Sequence, residues 1–317
     1  MRNLVSDTNF DFMGRDRLAV AVSGTLLVVA VLAILVRGLA FGVDFTGGYA
    51  IQVGYSDAPD LNAVRSTLAE AGFDDAQVQT FGTSRDVMIR MPPVAGLEGG
   101  EASAQVSDEV FRVLEPTAGD GTREIRSIEF VGPQVGEELR EKGGLAVLSA
   151  LFGIIVYIWS RFEKKFAIGS VVALVHDVTI TVGVFALLRL DFDLTVLAAC
   201  LAVIGYSLND TIVVFDRIRE NFLPMRSGTP AEVMNTSINQ TLTRTVITSG
   251  TTLLVLLSLF LFGGAIIKGF ATALLIGIVV GTYSSIFVAS LIVLRMGVTR
   301  EDLMPVEKEG ADLDAIP

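Results

Sequence analysis

The sequence predicts a polytopic α-helical membrane protein with one α+β domain between its first and second spans. Of the 317 residues, 51% are hydrophobic and the mean hydropathy is +0.59. The apolar residues gather into bilayer-length segments, and most charged residues lie between or beyond them. Residues 37–142 instead alternate between strand and helix patterns, which is typical of a separate folded domain.

Six segments are long and apolar enough to be transmembrane helices. They comprise residues 18–36, 143–160, 166–188, 194–215, 246–263 and 266–294. The first is longer than the apolar core of a signal peptide and is followed by Arg37 rather than by a small-residue cleavage site. We therefore expect it to remain as a membrane anchor.

The short loops indicate the orientation, because Lys and Arg favour the cytoplasmic side. Loops on one side contain most of the basic residues, namely Arg15, Arg17, Arg161, Lys164, Lys165, Arg217, Arg219, Arg226, Arg295 and Arg300. The short loops on the other side contain Arg189 and Lys268. The prediction is that the N-terminus (1–17) and the acidic C-terminal tail (295–317) are cytoplasmic, and that residues 37–142 lie outside.

The predicted outer domain has the element order β-α-β-β-α-β, which is the ferredoxin-like, split βαβ arrangement. Its expected elements are a strand at Ala50–Tyr55, a helix at Leu61–Ala71, strands at Gln77–Phe81 and Val87–Met91, a helix at Ser103–Leu114 and a strand at Glu124–Val131. The domain contains neither His nor Cys, so we expect a binding or lever role rather than catalysis.

Residues 216–245 are predicted to form a cytoplasmic loop that contains an amphipathic helix. Thr229, Pro230 and Glu232 have the spacing of a capping box with proline at the first helical position. Val233, Ile238 and Leu242 then provide an apolar face, which favours a helix at the membrane surface leading into the fifth span.

Asp210 is the most informative residue, because it lies inside the fourth apolar span. A carboxylate at such a depth costs roughly 2.5–3.5 kcal/mol on insertion scales, so a proton or ion site is the first hypothesis. Tyr206 and Ser207 share its helix face and are expected to bond it or to lead water to it, and Asn209 belongs to the same polar cluster. The alternative is a polar packing residue bonded to a neighbouring helix.

His176 and Asp177 lie near the middle of the third span, and His176 is the chain's single histidine. An isolated histidine usually packs in a core with its bonds satisfied. A His-Asp pair within an apolar span also suits a proton path, and both interpretations stay open.

Arg244 opens the fifth span. One interpretation is an interface arginine whose charged end reaches water, since the apolar run starts two residues later. The other is a counter-ion of Asp210, and spacing does not choose between them.

Asp44, Gly47 and Gly48 lie just after the first span. The glycine pair permits unusual backbone angles and close packing, so we predict a structural joint between this span and the outer domain. A phosphate-binding loop does not fit, because no Lys-Ser/Thr pair or following helix is present.

Charge and cysteine content exclude several other classes. The net charge of −11 argues against nucleic-acid binding. Cys200 is the single cysteine and lies in an apolar span, so neither a disulfide within the chain nor a zinc cluster is expected. No cofactor or metal site is predicted.

Three blocks together resemble the SecF members of the SecD/SecF family of the bacterial Sec export machinery. These blocks are Gly42–Gly48, Ala173–Val178 and Gly205–Glu220, and the segment Leu242–Val246 is also similar. The resemblance extends over nearly the whole chain apart from the acidic tail. It implies the resistance–nodulation–division superfamily, the bacterial inner membrane, SecD, the SecYEG channel and YajC as partners, and no enzymatic activity.

The resemblance further implies that Asp210 and Arg244 occupy the family's proposed proton-path positions. The implied function is late translocation of unfolded preproteins, driven by the proton motive force. Two other classes remain: a proton-coupled antiporter of small molecules or lipids, and a purely structural scaffold. Coupling to protons or to sodium ions is left open.

Overall fold

A computed structural model describes residues 8–93, 100–118, 121–225 and 228–303. Arg226 and residues 304–317, which include most of the predicted acidic tail, lie outside the described residues. In chain order the helices and strands are α1 (Asp16–Arg37), β1 (Ala40–Phe41), α2 (Val43–Thr46), β2 (Gly48–Tyr55), α3 (Leu61–Glu70), β3 (Gln77–Phe81), β4 (Thr83–Met91), α4 (Gly100–Val113), β5 (Arg123–Val131), α5 (Pro133–Arg161), α6 (Lys164–Leu188), β6 (Asp191–Phe192), α7 (Leu194–Phe222), α8 (Pro230–Phe262), α9 (Gly264–Ser284) and α10 (Ser290–Arg295).

Six helical stretches in the described chain are long and apolar enough to cross a membrane, as the hydropathy predicts. They contain α1, α5, α6, α7, α8 and the continuous run from α9 to α10. A five-residue π-helical segment, Ser285–Ala289, joins the last two helices. Helices α6, α7 and α9 are the most buried of the set, whereas α1, α5 and α8 present many apolar side chains outward. The buried core of the helical part therefore lies among α6, α7 and α9.

Between α1 and α5 lies a four-stranded antiparallel sheet with the strand order β3-β4-β2-β5. Helices α3 and α4 cover one face of this sheet. Val64 and Leu68 of α3 and Val106 and Val110 of α4 are at most 1% exposed and pack with the sheet's apolar residues. Strand β4 begins at Thr83, four residues before the predicted start, because the turn at Gly82, with φ +81°, returns the chain directly into the sheet.

The region 216–245 differs from the prediction of a loop with a separate amphipathic helix. Helix α7 continues to Phe222, and α8 is one helix of 33 residues from Pro230 to Phe262. The predicted capping box at Thr229 is confirmed, since its hydroxyl and the Glu232 carboxylate each bond the other residue's backbone N–H. The apolar face that begins at Val233 packs into the helical core. The same helix continues without a break into the fifth span.

Ion pairs join the helix ends at the side of the molecule that holds both described ends of the chain. Arg295 of α10 is 3.2 Å from Asp16 of α1. Arg161 at the end of α5 is 2.9 Å from Asp216 of α7. The sheet lies at the opposite ends of these helices, because it follows the end of α1 and precedes the start of α5.

Candidate functional site

Asp177 of α6 is fully buried, and its carboxyl group joins three helices. The Ser207 hydroxyl of α7 donates to Oδ2, and the Ser284 hydroxyl of α9 donates to the same oxygen over 2.6 Å. His176 Nδ1 lies 2.9 Å from Oδ1. With the His176 hydrogen placed on Nδ1, the carboxylate has three donors and is well satisfied without a cation. The group therefore acts as a hydrogen-bonded centre that holds α6, α7 and α9 together.

Local backbone features bring Ser207 and Ser284 to this carboxyl group. Ser284 is the last residue of α9 before the π-helical segment, a kind of distortion that often accompanies functional sites. Gly281, one turn earlier, allows α7 to approach closely. A methyl group there would lie 3.0 Å from the Ser207 Cβ.

Asp210, one turn after Ser207, is only 5% exposed. Its Oδ2 and the Thr245 Oγ1 of α8 are both buried and have no hydrogen-bond partner among the described residues. The Thr245 hydroxyl and the Arg244 side chain are nevertheless near neighbours of the carboxyl group, and neither satisfies its Oδ2 in this conformation. The site is thus a buried acid without the bonds that would compensate a negative charge.

The neighbours predicted for Asp210 make other contacts. Ser207 donates to Asp177, and the Tyr206 hydroxyl donates to Thr252 over 3.4 Å. Asn209 is exposed on another side of α7. The expectation that Tyr206 and Ser207 bond Asp210 is wrong for this conformation. A shared helix face brings side chains near one another, but acceptors on other helices compete for their hydrogens.

Arg244 is exposed and forms no ion pair with Asp210 in the part of the chain that the structure describes. The pairing of Arg244 with Asp210 therefore stays a prediction about another conformation.

His176 is 2% exposed and sits between Asp177 and an aromatic residue of α9. Its ring centroid lies 6.4 Å from that of Tyr283, and its Nε2 has no partner among the described residues. The His-Asp pair is thus a real contact. The buried Nε2 atom thus lacks a hydrogen-bond partner, which is unusual for a histidine whose role is only to pack in a core.

Several polar residues of the helical core were not identified from the sequence. Besides Ser284 and Thr245, the structure pairs Ser249 with Thr282 over 2.8 Å and Ser23 with Tyr283 over 3.0 Å. A signal was present: Thr245, Ser249 and Thr252 repeat at i, i+4 and i+7 on α8. That spacing places all three on one face, towards α7 and α9.

The predicted joint contacts both the sheet and α5. Gly47 and Gly48 have φ values of +68° and +115°. A Cβ on Gly47 would lie 2.9 Å from the Pro133 Cα, and one on Gly48 would lie 2.2 Å from the Met91 carbonyl oxygen. The pair is therefore needed for close packing as well as for backbone angles.

Asp44 lies at the same joint, and its Oδ2 accepts from the Leu194 N–H at the start of α7 over 3.0 Å. Beside it, β1 pairs in parallel with β6, the short strand before α7. The chain that leaves α1 is thereby fixed to the helix that carries Asp210.

Two further contacts attach the sheet to the helix ends. Asp191, in the turn between α6 and α7, binds Arg90 of β4 and Gln79 of β3. Lys268 of α9 donates to the Gly82 carbonyl over 3.0 Å. No group of three or more metal-binding side chains occurs among the described residues.

The fold and the site define a class: a multi-pass helical membrane protein with carboxyl groups buried among its helices and a sheet domain inserted after the first helix. Residues 113–299 match the family described as protein export membrane protein SecD/SecF, C-terminal. Residues 32–59, which include Asp44 and the glycine pair, match the SecD/SecF GG motif. The chain belongs to the SecD/SecF family.

Relatives from several bacteria agree with this assignment. The protein translocase subunit SecF of Vibrio alginolyticus is 49% identical over 316 residues, which is 99% of each chain. That of Escherichia coli O157:H7 is 47% identical over 97% of this chain and 94% of its own. The chain is therefore a multi-pass protein of the bacterial inner membrane.

A solved structure has the same fold. It is the crystal structure of SecDF, described as a translocon-associated membrane protein, from Thermus thermophilus. The TM-score is 0.81 at 39% identity, over 92% of this chain. This chain spans only 39% of the SecDF chain. A second SecDF structure, in a super-membrane-facing form, has a TM-score of 0.66, so the present conformation is more similar to the first.

Proposed function

We propose that this chain is the SecF-like subunit of a Sec export machinery. It uses the proton motive force, together with SecD, to promote late translocation of unfolded preproteins across the inner membrane. Family membership and the near full-length SecF relatives support the proposal. The observation that carries the coupling is Asp210, an almost fully buried carboxyl group whose Oδ2 has no partner among the described residues.

Burial without a compensating bond is costly for an ionised carboxylate. In the conformation described, Asp210 therefore holds a proton. A conformation that brings Arg244 into contact would favour the ionised form and release the proton. Each charge that crosses gains roughly 2.3 kcal/mol per 100 mV, which is enough to shift a two-state equilibrium by a factor of tens.

Helix α7 connects the proton site to the outer domain. Asp210 lies in its second half, and its first N–H is bound by Asp44 of the GG motif. We assign the sheet domain to the ferredoxin-like class and place it on the outer face. The strand order β3-β4-β2-β5 and the order of its helices support the class. A movement of α7 would thus move the sheet domain relative to the exported chain.

The remaining features of the proposal follow from the family and from the loop charges. Both termini face the cytoplasm. The partners are SecD, the SecYEG channel and YajC, and the chain carries out no chemical transformation and needs no cofactor. His176 and Asp177 belong to the same proton path as Asp210.

The test is export into inverted inner-membrane vesicles that contain the chain with SecD, with the gradient intact or collapsed. Asp210→Asn keeps the shape of the side chain and removes its titration, so gradient stimulation should fall to the collapsed-gradient level. Glu220→Gln, an exposed carboxylate on the same helix, is the matched control and should behave as the parent chain does. Normal stimulation in Asp210→Asn would overturn the proposal.

A further inference from the structure

Two buried carboxyl groups flank one hydroxyl group on α7. Ser207 Oγ donates to Asp177 on α6, while Asp210 follows Ser207 by three residues and therefore lies on the same side of α7. Asp177 is fully satisfied, whereas the Oδ2 of Asp210 has no partner among the described residues. A serine hydroxyl has one hydrogen to donate, so it serves one of these carboxyl groups at a time.

We propose that Ser207 has two alternative acceptors: Asp177 in the conformation described, and Asp210 once that residue has released its proton. Ser207 thereby transmits the charge state of Asp210 to the contact between α6, α7 and α9. The inference rests on the proposed proton role of Asp210 and adds a positioning residue that couples it to helix packing.

The balance of donors explains why the hydroxyl changes acceptor. While Asp210 is neutral, it gains little from accepting a hydrogen bond. Ser207 then remains one of the three hydrogen-bond donors to Asp177. When Asp210 is ionised, a buried anion without a donor costs more than the loss of one of three donors. Asp177 still keeps Ser284 and His176, so Ser207 turns to Asp210.

The change of acceptor is a rotation of the Ser207 side chain beside a close contact with α9. The side of Ser207 that faces α9 meets Gly281, which has no side chain. A methyl group at position 281 would lie 3.0 Å from the Ser207 Cβ and 3.3 Å from its Oγ. Staggered rotamers of serine exchange readily, and the absence of a side chain at Gly281 removes one obstacle to that exchange.

The consequence is selective release of one helix. Ser207 provides the α7 contact with Asp177, whereas Ser284 and His176 hold α9 and α6. Loss of the Ser207 bond leaves α6 and α9 joined through Asp177 and releases α7 from that carboxyl group alone. Helix α7 is also the helix whose first turn is bound to Asp44, so its release is transmitted to the outer end of the molecule.

The test measures the protonation of Asp210 directly, without export. Membranes that contain the chain with SecD are treated across a pH series with dicyclohexylcarbodiimide, which modifies protonated carboxyl groups in apolar surroundings. Mass spectrometry of the peptide that carries Asp210 gives the labelling midpoint, with Asp210→Asn as the blank. The helices packed against α7 also carry Asp177, His176, Arg244 and Tyr283 near this site, and these titratable groups stay unchanged in every variant.

Ser207→Ala removes the donor that stabilises the ionised form, so the midpoint should move up by about one pH unit, a tenfold change. Ser284→Ala is the matched control: it removes a donor from Asp177 but none that could serve Asp210, so the midpoint should move up clearly less than in Ser207→Ala, only because Asp177 then retains Ser207 more strongly. Ser207→Thr keeps the hydroxyl and should restore the parent value. Ser207→Cys keeps the volume with a weak donor and should shift the midpoint in the same direction as Ala.

Three outcomes would overturn the inference: an unshifted Ser207→Ala, an equal shift in Ser284→Ala, or an Asp210 that labels at no pH. The export assay separates this inference from the proposed function. If export depends on the gradient but Ser207→Ala leaves the labelling midpoint unshifted, only the role of Ser207 is contradicted. If Ser207→Ala shifts the midpoint but export in the same membranes does not depend on the gradient, only the proposed function is contradicted.

Discussion

The Asp44 carboxylate accepts a hydrogen bond from the Leu194 backbone N–H, 3.0 Å away and 150 residues later in the chain. A negative charge at a helix N-terminus accepts from a free N–H and interacts favourably with the positive end of the helix dipole. Asp44 thereby stabilises the start of the helix that contains Asp210. We infer that the GG motif positions α7 relative to the sheet domain.

Loss of this bond should weaken coupling more than it weakens the fold. Asp44→Ala is expected to cost about 1 kcal/mol of stability. It should also lower gradient-stimulated export while basal export continues. Asp44→Asn keeps an acceptor oxygen without the charge. Its stability and its gradient-stimulated export should therefore lie between those of the parent chain and those of Asp44→Ala. Thermal denaturation of the purified chain and the vesicle assay measure the two effects, and full stimulation in Asp44→Ala would contradict this role.

The glycine joint can be tested with a control inside the same chain. Gly47 and Gly38 have nearly the same φ, +68° and +67°, but a Cβ on Gly47 would meet Pro133 whereas one on Gly38 would meet nothing within 4 Å. Gly38→Ala should therefore cost only backbone strain, about 1–2 kcal/mol. Gly47→Ala adds a contact with backbone atoms and should cost clearly more. Equal melting temperatures for the two variants would show that close packing at the joint is unimportant.

Replacing both Gly47 and Gly48 with Val extends this test to function. We expect the core around Val64 and Val110 to remain folded, although Val at position 48 must displace the Met91 carbonyl at the end of β4. Contact of the domain with a translocating chain should then no longer follow the gradient. The measurement is cross-linking of an exported chain to the domain with the gradient on and off. Gradient-dependent yield in the double variant would exclude the joint as the transmission point.

Arg244 is expected to meet Asp210 in the conformation that releases the proton. Lysine keeps the charge but lacks the planar fork of donors, so Arg244→Lys should lower gradient-stimulated export roughly tenfold. Arg295→Lys is the control, because Arg295 forms an exposed surface ion pair with Asp16 and should tolerate the change. Full export with Lys or Ala at position 244 would leave Arg244 as an interface residue only.

The Asp191–Arg90 ion pair should hold the sheet domain to the α6–α7 turn. Both side chains are largely buried, at 18% and 11% exposure. A double-mutant cycle with alanine should give a coupling energy of about 1.5–3 kcal/mol from thermal denaturation. The exposed pair of Glu138 and Lys142 on α5 is the control and should give a much smaller coupling energy, because solvent screens it. Equal couplings for the two pairs would contradict the proposed attachment.

The sequence by itself determined the six apolar spans, most strand positions and the presence of one acid, Asp210, inside an apolar helix. Hydropathy over some twenty residues and alternation within a strand are local properties that depend little on the rest of the chain. Asp210 stood out for the same reason, because a carboxylate within an apolar run is costly wherever the helix packs. The capping box at Thr229 is likewise local, and the structure confirms it.

Tertiary structure alone decided which groups bond one another. Ser207 lies one turn from Asp210, yet it donates to Asp177, 30 residues away in sequence, and Ser284, 107 residues away, donates to the same oxygen. Likewise, α7 and α8 continue through much of the predicted loop because their end residues pack and pair with other helices. Helical spacing limits which side chains are neighbours on one helix, but it carries no information about acceptors on other helices. Hydrogen bonds form with the best acceptor within reach, and only the packing of α6, α7 and α9 defines which acceptors are within reach.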